Sequence, residues 1–200
     1  MSVSPLDAVV AVLSLVFGYV AGSIPVSALV GRAAGVDVHA DGERNPGAAN
    51  VWKLAGPGWG LLALSGDLAK GALPVAIATV TFSWNAGWLA AMGAAIGAGW
   101  PLLRIRSGGR AVATFSGAAA ALAPPAGIIG FALAGIIVGF GRLVRVNTRV
   151  VAIAVAIGGY PILFYWTHGD VRRLLALLLL YSVTLVRYLA TRSHRRRPAV

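Results

Sequence analysis

An all-α, polytopic membrane protein with about seven transmembrane helices is the fold class this sequence predicts, with the N-terminus outside and the C-terminus in the cytoplasm. Three observations carry the prediction. Of the 200 residues, 58% are hydrophobic and only 12% charged, a balance outside the range of soluble globular domains. Apolar segments of about 18–25 residues recur along the chain, the length a helix needs to cross the hydrocarbon core. Cations concentrate in alternate connections between these segments, the pattern that sets orientation in a bilayer.

Apolar runs and chain breakers place helices at about 7–31, 57–80, 84–103, 110–123, 126–143, 149–167 and 171–190. The first has no basic n-region and no convincing cleavage site, so it reads as a retained helix rather than a signal peptide. The fourth is short, ends at Pro124–Pro125, and is expected to tilt or to span incompletely. Glycines recur through the spans, Gly93, Gly97 and Gly117 among them, and let helix backbones approach closely. The first connection carries Arg32, Arg44 and Lys53, the third Arg104, Arg106 and Arg110, and the fifth Arg142, Arg145 and Arg149. The C-terminal tail adds Arg187, Arg192 and Arg195 to Arg197, whereas the second and fourth connections have no cation. The odd connections and the tail are therefore expected in the cytoplasm. Arg172 and Arg173 are the exception, falling on the outer side after Asp170. Trp84, Trp88, Tyr165 and Trp166 lie near outer helix ends as interfacial anchors. The chain reads as one integral membrane domain over 1–200, its basic cytoplasmic tail starting at about 191.

Composition also excludes several classes. The net charge of +11 sits in short loops between apolar spans, which points to membrane orientation and not to nucleic acid. Cysteine is absent, so neither disulfides nor thiolate chemistry is available. His39, His168 and His194 are far apart, and no His, Asp or Glu spacing resembles a metal site.

Three polar stretches stand out against this background. Asn45-Pro46-Gly47-Ala48-Ala49-Asn50 offers two amides, and Gly47 lets a backbone N–H approach a ligand. Asp67 and Lys70 lie at i and i+3 and share a helix face. A lysine inside a span costs about 2.5–3.5 kcal/mol on insertion scales, so it pairs with Asp67, reaches a cytoplasmic cleft, or does both. Ser107-Gly108-Gly109-Arg110 runs into the fourth helix up to Thr114. Exposed N–H groups at a helix start beside a cation make an anion site. The two most polar loops share the cytoplasmic side, where phosphorylated metabolites are.

In order along the chain, these elements resemble the bacterial acyl-phosphate:glycerol-3-phosphate acyltransferase family of small seven-helix membrane enzymes. That family shows Gly-Ser-Ile-Pro, then Gly-Ser-Gly-Asn-x-Gly-Ala-Thr-Asn, Asp-x-x-Lys-Gly, a Gly-His pair and Gly-Gly-Lys-Gly-Val-Ala-Thr. The counterparts here are Gly22 to Pro25, Gly42 to Asn50, Asp67 to Gly71, Gly97-Ala98 and Gly108 to Thr114. Several positions depart from the pattern. Glu43 and Arg44 replace Ser and Gly, Ala49 replaces Thr, and Ala98 replaces His. Arg110 and Ala111 replace Lys and Gly, and the C-terminal signature Asn-x-x-Arg-Leu-x-x-Gly-x-Glu is not matched in the tail from Tyr188 onward.

The resemblance implies transfer of a fatty acyl group from acyl phosphate to the sn-1 hydroxyl of glycerol 3-phosphate, giving lysophosphatidic acid in phospholipid synthesis. It implies a bacterial plasma-membrane enzyme with a cytoplasmic active side, no metal and no organic cofactor. Acyl phosphate, glycerol 3-phosphate and membrane lipid are its partners; the sequence leaves oligomeric state open. Ser23, Asn45, Lys70 and Arg110 are the expected catalytic residues. Arg44, Gly47, Asn50, Gly108, Gly109 and Thr114 are expected to bind substrate phosphate. The departures keep a second reading open, in which the chain is a catalytically degenerate paralogue that binds lipid phosphate or regulates a partner.

Overall fold

The computed structural model describes residues 4–102, 108–125 and 170–193, together with 128–129, 132–133 and 135–137. Every regular element among the described residues is helical. The span expected at 149–167 lies outside them, and so does most of that at 126–143.

The first helix, α1 (Pro5–Ser23), opens on a capping box. Ser4 accepts from the Asp7 amide, Asp7 accepts from Ser4, and Pro5 takes the first turn. The single helix expected over 7–31 is in fact two. Pro25 has no N–H to continue the ladder, so α1 ends at Ser23 and a second helix, α2 (Val26–Ala33), starts past the break. The connection that follows contains a helix the sequence did not announce, α3 (Ala48–Ala55). Next comes α4 (Pro57–Thr81), with Pro57 in its first turn, then α5 (Trp84–Gly99), capped by the Ser83 side chain on the Ala86 amide. Two more follow, α6 (Val112–Leu122) and α7 (Val171–Ser193).

Pro5–Ala33, Pro57–Thr81 and Val171–Ala190 are long and apolar enough to cross a membrane, and α6 is shorter, as expected of the fourth segment. Leu13 and Leu175 are each 60% exposed and Val80 87%. Large aliphatic side chains on the outside of long apolar helices fit a lipid surround.

Glycines let the helices touch backbone to backbone. Gly18 and Gly22 of α1 face the carbonyls of Ala90 and Ala94, while Gly93 and Gly97 of α5 face those of Leu15 and Tyr19. A Cβ at any of the four would overlap a carbonyl oxygen. Two small-xxx-small faces thus interlock. Gly71 of α4 and Gly117 of α6 meet Thr114 and Leu68 in the same way. The core between α4, α5, α6 and α7 is filled by Val75, Ala90, Ala91, Phe115, Leu177 and Leu180. A smaller cluster of Ala28, Val38, Val51 and Ala63 ties the polar connection onto α4.

The exception to the charge pattern has a local explanation. Asp170 accepts from the Arg172 and Arg173 amides at the start of α7 and pairs with the Arg173 side chain at 3.1 Å. The Arg173 guanidinium also lies over Trp84, 4.9 Å from the ring centre. One of the two arginines is therefore paired with the residue that caps its own helix.

Candidate active site

The helix break at Pro25 builds one wall of the site. Ile24 and Pro25 leave the helical path, and the Ile24 carbonyl accepts from the Lys70 ammonium at 3.1 Å. Asp67, one turn before Lys70 on α4, lies 2.8 Å from that ammonium through Oδ1, an ion pair and not an aligned hydrogen bond. Its Oδ2 accepts from the Ser27 hydroxyl at 2.6 Å. Ser27, Asp67, Lys70 and Ile24 form a closed polar chain between α2 and α4, with Lys70 and Asp67 side chains only 11% and 8% exposed. The expected pairing of Asp67 with Lys70 is present, and Lys70 also lines the cavity described below.

A second wall comes from residues 34–47. Asp37 accepts from the His39 amide at 2.9 Å, and that bond holds its carboxyl below the usual carboxylate range. The turn brings His39 to the cavity. Asn50, 1% exposed in α3, donates to the Val38 and Asp41 carbonyls at 3.1 Å each and accepts from the Glu43 amide at 2.8 Å. Its amide is committed to loop backbone, and it does not line the cavity. Asn45 is different. It is 8% exposed, and its side chain has no hydrogen-bond partner among the described residues.

The third wall is Gly108 to Thr114. Arg110 sits two residues before α6 rather than at its start. It pairs with Glu43 at 3.2 Å and lies over Tyr188, 5.5 Å from the ring centre. Its Nε is buried without a hydrogen-bond partner among the described residues. Glu43 also pairs with Lys53 of α3. Behind the glycine pair, Arg187 of α7 donates to the Gly108 carbonyl at 2.8 Å and to that of Gly109 at 3.3 Å. It stacks over Trp100 at 5.1 Å.

These walls enclose a cavity of about 560 Å³. Eight of the ten expected site residues line it: Ser23, Asn45, Gly47, Lys70, Gly108, Gly109, Arg110 and Thr114. Arg44 and Asn50 do not. Arg44 is exposed with φ +46°, whereas Arg32 and Lys53, not among the expected site residues, do line the cavity. The Ser23 hydroxyl donates to the Tyr19 carbonyl at 2.7 Å and accepts from the Leu102 amide at 3.3 Å, tying the end of α1 to the chain after α5. Ala98, where the motif has His, also lines the cavity. Among the described residues no group of His, Asp and Glu could hold a metal ion.

The family model for glycerol-3-phosphate acyltransferase matches residues 12–197. The chain belongs to the glycerol-3-phosphate acyltransferase family. A glycerol-3-phosphate acyltransferase of Rubrobacter xylanophilus is 40% identical over 159 residues, covering 76% of this chain and 78% of that one. One from Desulforudis audaxviator is 32% identical over 182 residues, covering 88% and 90%. Among solved structures, PlsY, an integral membrane glycerol 3-phosphate acyltransferase, superposes in its glycerol 3-phosphate form with TM-score 0.78 at 24% identity, over 92% of this chain and 90% of that one. Its lysophosphatidic acid form gives 0.76 at 25% identity, over 89% and 87%. This chain is accordingly an integral membrane protein of the acyltransferase family.

Sequence reasoning missed Ser27, His39 and Arg187. In the sequence Arg187 reads as one more orientation charge of the tail, but, 9% exposed, it lies inside α7 and braces the glycine loop. Two signals could have found it. It interrupts the apolar run Thr184-Leu185-Val186-Arg187-Tyr188-Leu189, and it stands three residues after Thr184, the Asn-to-Arg spacing of the C-terminal signature.

Backbone angles show what two of the motif departures cost. Arg44 (φ +46°) and Ala111 (φ +59°) are the non-glycine residues at positive φ among those described. Both stand where the motif has Gly. A side chain there costs about 1–2 kcal/mol against the right-handed region, partly offset by the greater unfolded-state freedom of glycine. Ala111→Gly is expected to stabilise the protein by about 0.5–1 kcal/mol, read as a higher unfolding midpoint in detergent; a lower midpoint would contradict the strain.

Proposed function

We propose that the chain transfers a fatty acyl group from acyl phosphate to the sn-1 hydroxyl of glycerol 3-phosphate, yielding lysophosphatidic acid and phosphate. The observation that carries this reading is the cation-lined cavity at the helix break, where the Arg110 Nε is buried without a hydrogen-bond partner among the described residues and the Asn45 side chain lines the same space. A buried donor without a partner is costly, and a phosphate oxygen is the acceptor that suits it. Arg110, Lys70 and Lys53 neutralise phosphate oxygens, while the backbone at Gly47, Gly108 and Gly109 comes close to them. Asn45 orients the acceptor. Ser23 and Thr114 line the same space, and Asn50 holds the Glu43–Asn45 turn that presents the amide. Arg44 does not line the cavity and acts at most through long-range charge.

Acyl phosphate is already activated, so positioning and electrostatic stabilisation supply most of the acceleration. The acceptor oxygen bonds to the acyl carbon, the acyl carbon–phosphate oxygen bond breaks, and inorganic phosphate leaves. The hydroxyl proton passes to a phosphate oxygen of the bound substrates. In this reading the protein is a single domain of about seven helices in the bacterial plasma membrane, with the N-terminus outside. The C-terminal tail and the cavity mouth face the cytoplasm, as the loop cations direct.

The comparisons lend no support to the non-catalytic alternative. The test is an acyl-transfer assay on the purified chain with acyl phosphate and labelled glycerol 3-phosphate. Labelled 1-acyl product is expected. Saturable binding without turnover would favour the degenerate paralogue, and turnover with only a thioester donor would overturn the donor.

A further inference from the structure

Among the described residues, Glu43 is the one acidic group that lines the cavity on its loop side. Its carboxylate spans two cations among the described residues, Lys53 through Oε1 and Arg110 through Oε2. The side chain is 18% exposed. Its backbone amide is held by Asn50, which is anchored in turn on the Val38 and Asp41 carbonyls. The carboxylate is thus delivered to the two cations by a built loop and not by a mobile surface side chain. On the opposite wall Asp67 is committed to Lys70 and Ser27. Among the described lining residues, Arg32, Lys53, Lys70 and Arg110 face two carboxylates, so the cavity keeps an excess of positive charge even with both pairs formed.

A carboxylate bridging two cations makes the contacts that a phosphate would make with them. We propose that Glu43 is a resident competitor for substrate phosphate: it holds Arg110 and Lys53 between turnovers, yields them to the incoming phosphate, and reclaims them as product phosphate leaves. This rests on the acyl-transfer reading and deepens it by assigning a role to a residue outside the expected site. Phosphate entering the site must displace an anion of the protein, which weakens binding of substrate and product alike. Reclaiming the cations gives the product phosphate a route out of a strongly cationic cavity, and so favours release.

Glu43 is the only glutamate in the sequence, so carboxylate-labelled glutamate reports on this side chain alone. In the unaltered, full-length protein, addition of inorganic phosphate is expected to shift the infrared carboxylate stretch of labelled Glu43 as its ion pairs open. The companion measurement is equilibrium binding of inorganic phosphate and of glycerol 3-phosphate to the parent and to Glu43→Gln, with Glu43→Ser as a second variant. Both variants are expected to bind at least tenfold more tightly, with tighter product inhibition by phosphate. In an Arg110→Ala background the Glu43→Gln gain should shrink, because one of the disputed cations is gone. An unshifted carboxylate band at saturating phosphate, or equal or weaker binding by folded variants, overturns the competitor. Parent and variants both failing to bind either phosphate removes the proposed function as well, whereas equal binding by all of them removes only the role of Glu43.

Discussion

Asp67→Ala is expected to lower stability by about 3–5 kcal/mol, because it leaves a buried ammonium without its counter-charge. Lys70 is 11% exposed on its side chain, and its other contact is the neutral carbonyl of Ile24. The Ser27 hydroxyl loses its acceptor in the same step. The double change Asp67→Leu with Lys70→Met should recover most of that loss, since replacing a buried pair by apolar side chains of similar volume is often neutral or better. It should not recover acyl transfer if Lys70 neutralises phosphate. The measurements are unfolding midpoints in detergent or mixed micelles and turnover for parent, single and double variants. A single variant within about 1 kcal/mol of the parent would show that the pair is screened by water entering the cavity.

Arg110→Ala is expected to weaken glycerol 3-phosphate binding by about 1.5–3 kcal/mol, the worth of a lost charge-assisted hydrogen bond. At 1.4 kcal/mol per decade this is roughly 10- to 150-fold in Kd. Arg110→Lys restores the charge but not the planar fork, so it should fall between parent and alanine variant. The guanidinium also lies over Tyr188, and Ala loses that contact, so the binding comparison belongs with a stability measurement on the same variants. Unchanged affinity in folded, membrane-inserted Arg110→Ala would remove Arg110 from the phosphate site.

The two predictions concern residues that were legible in different degrees. Lys70 announced itself, because a lysine in an apolar run beside an aspartate one turn away has few alternatives to pairing. Arg110 was found from the glycines before it, but its pairing with Glu43 was not, since they stand 67 positions apart. Asn45 and Asn50 looked alike as amides of one motif. Only folding separates them, by turning Asn50 inward onto the Val38, Asp41 and Glu43 backbone and leaving Asn45 at the cavity.

The membrane class, the spans at α1, α4 and α7 and the family were determined by sequence alone. Apolar length and motif order are properties of the chain read in one dimension, and the bilayer and the backbone enforce them directly. Tertiary structure alone decided the break at Pro25, the helix Ala48–Ala55 inside a polar connection, the inward brace of Arg187 and the bridge from Glu43 to Arg110 and Lys53. The physical reason is common to these features. Each depends on which buried donor or charge meets which acceptor across a distance in sequence, and that pairing exists only once the glycine faces of α1 and α5 and of α4 and α6 have brought the backbones together.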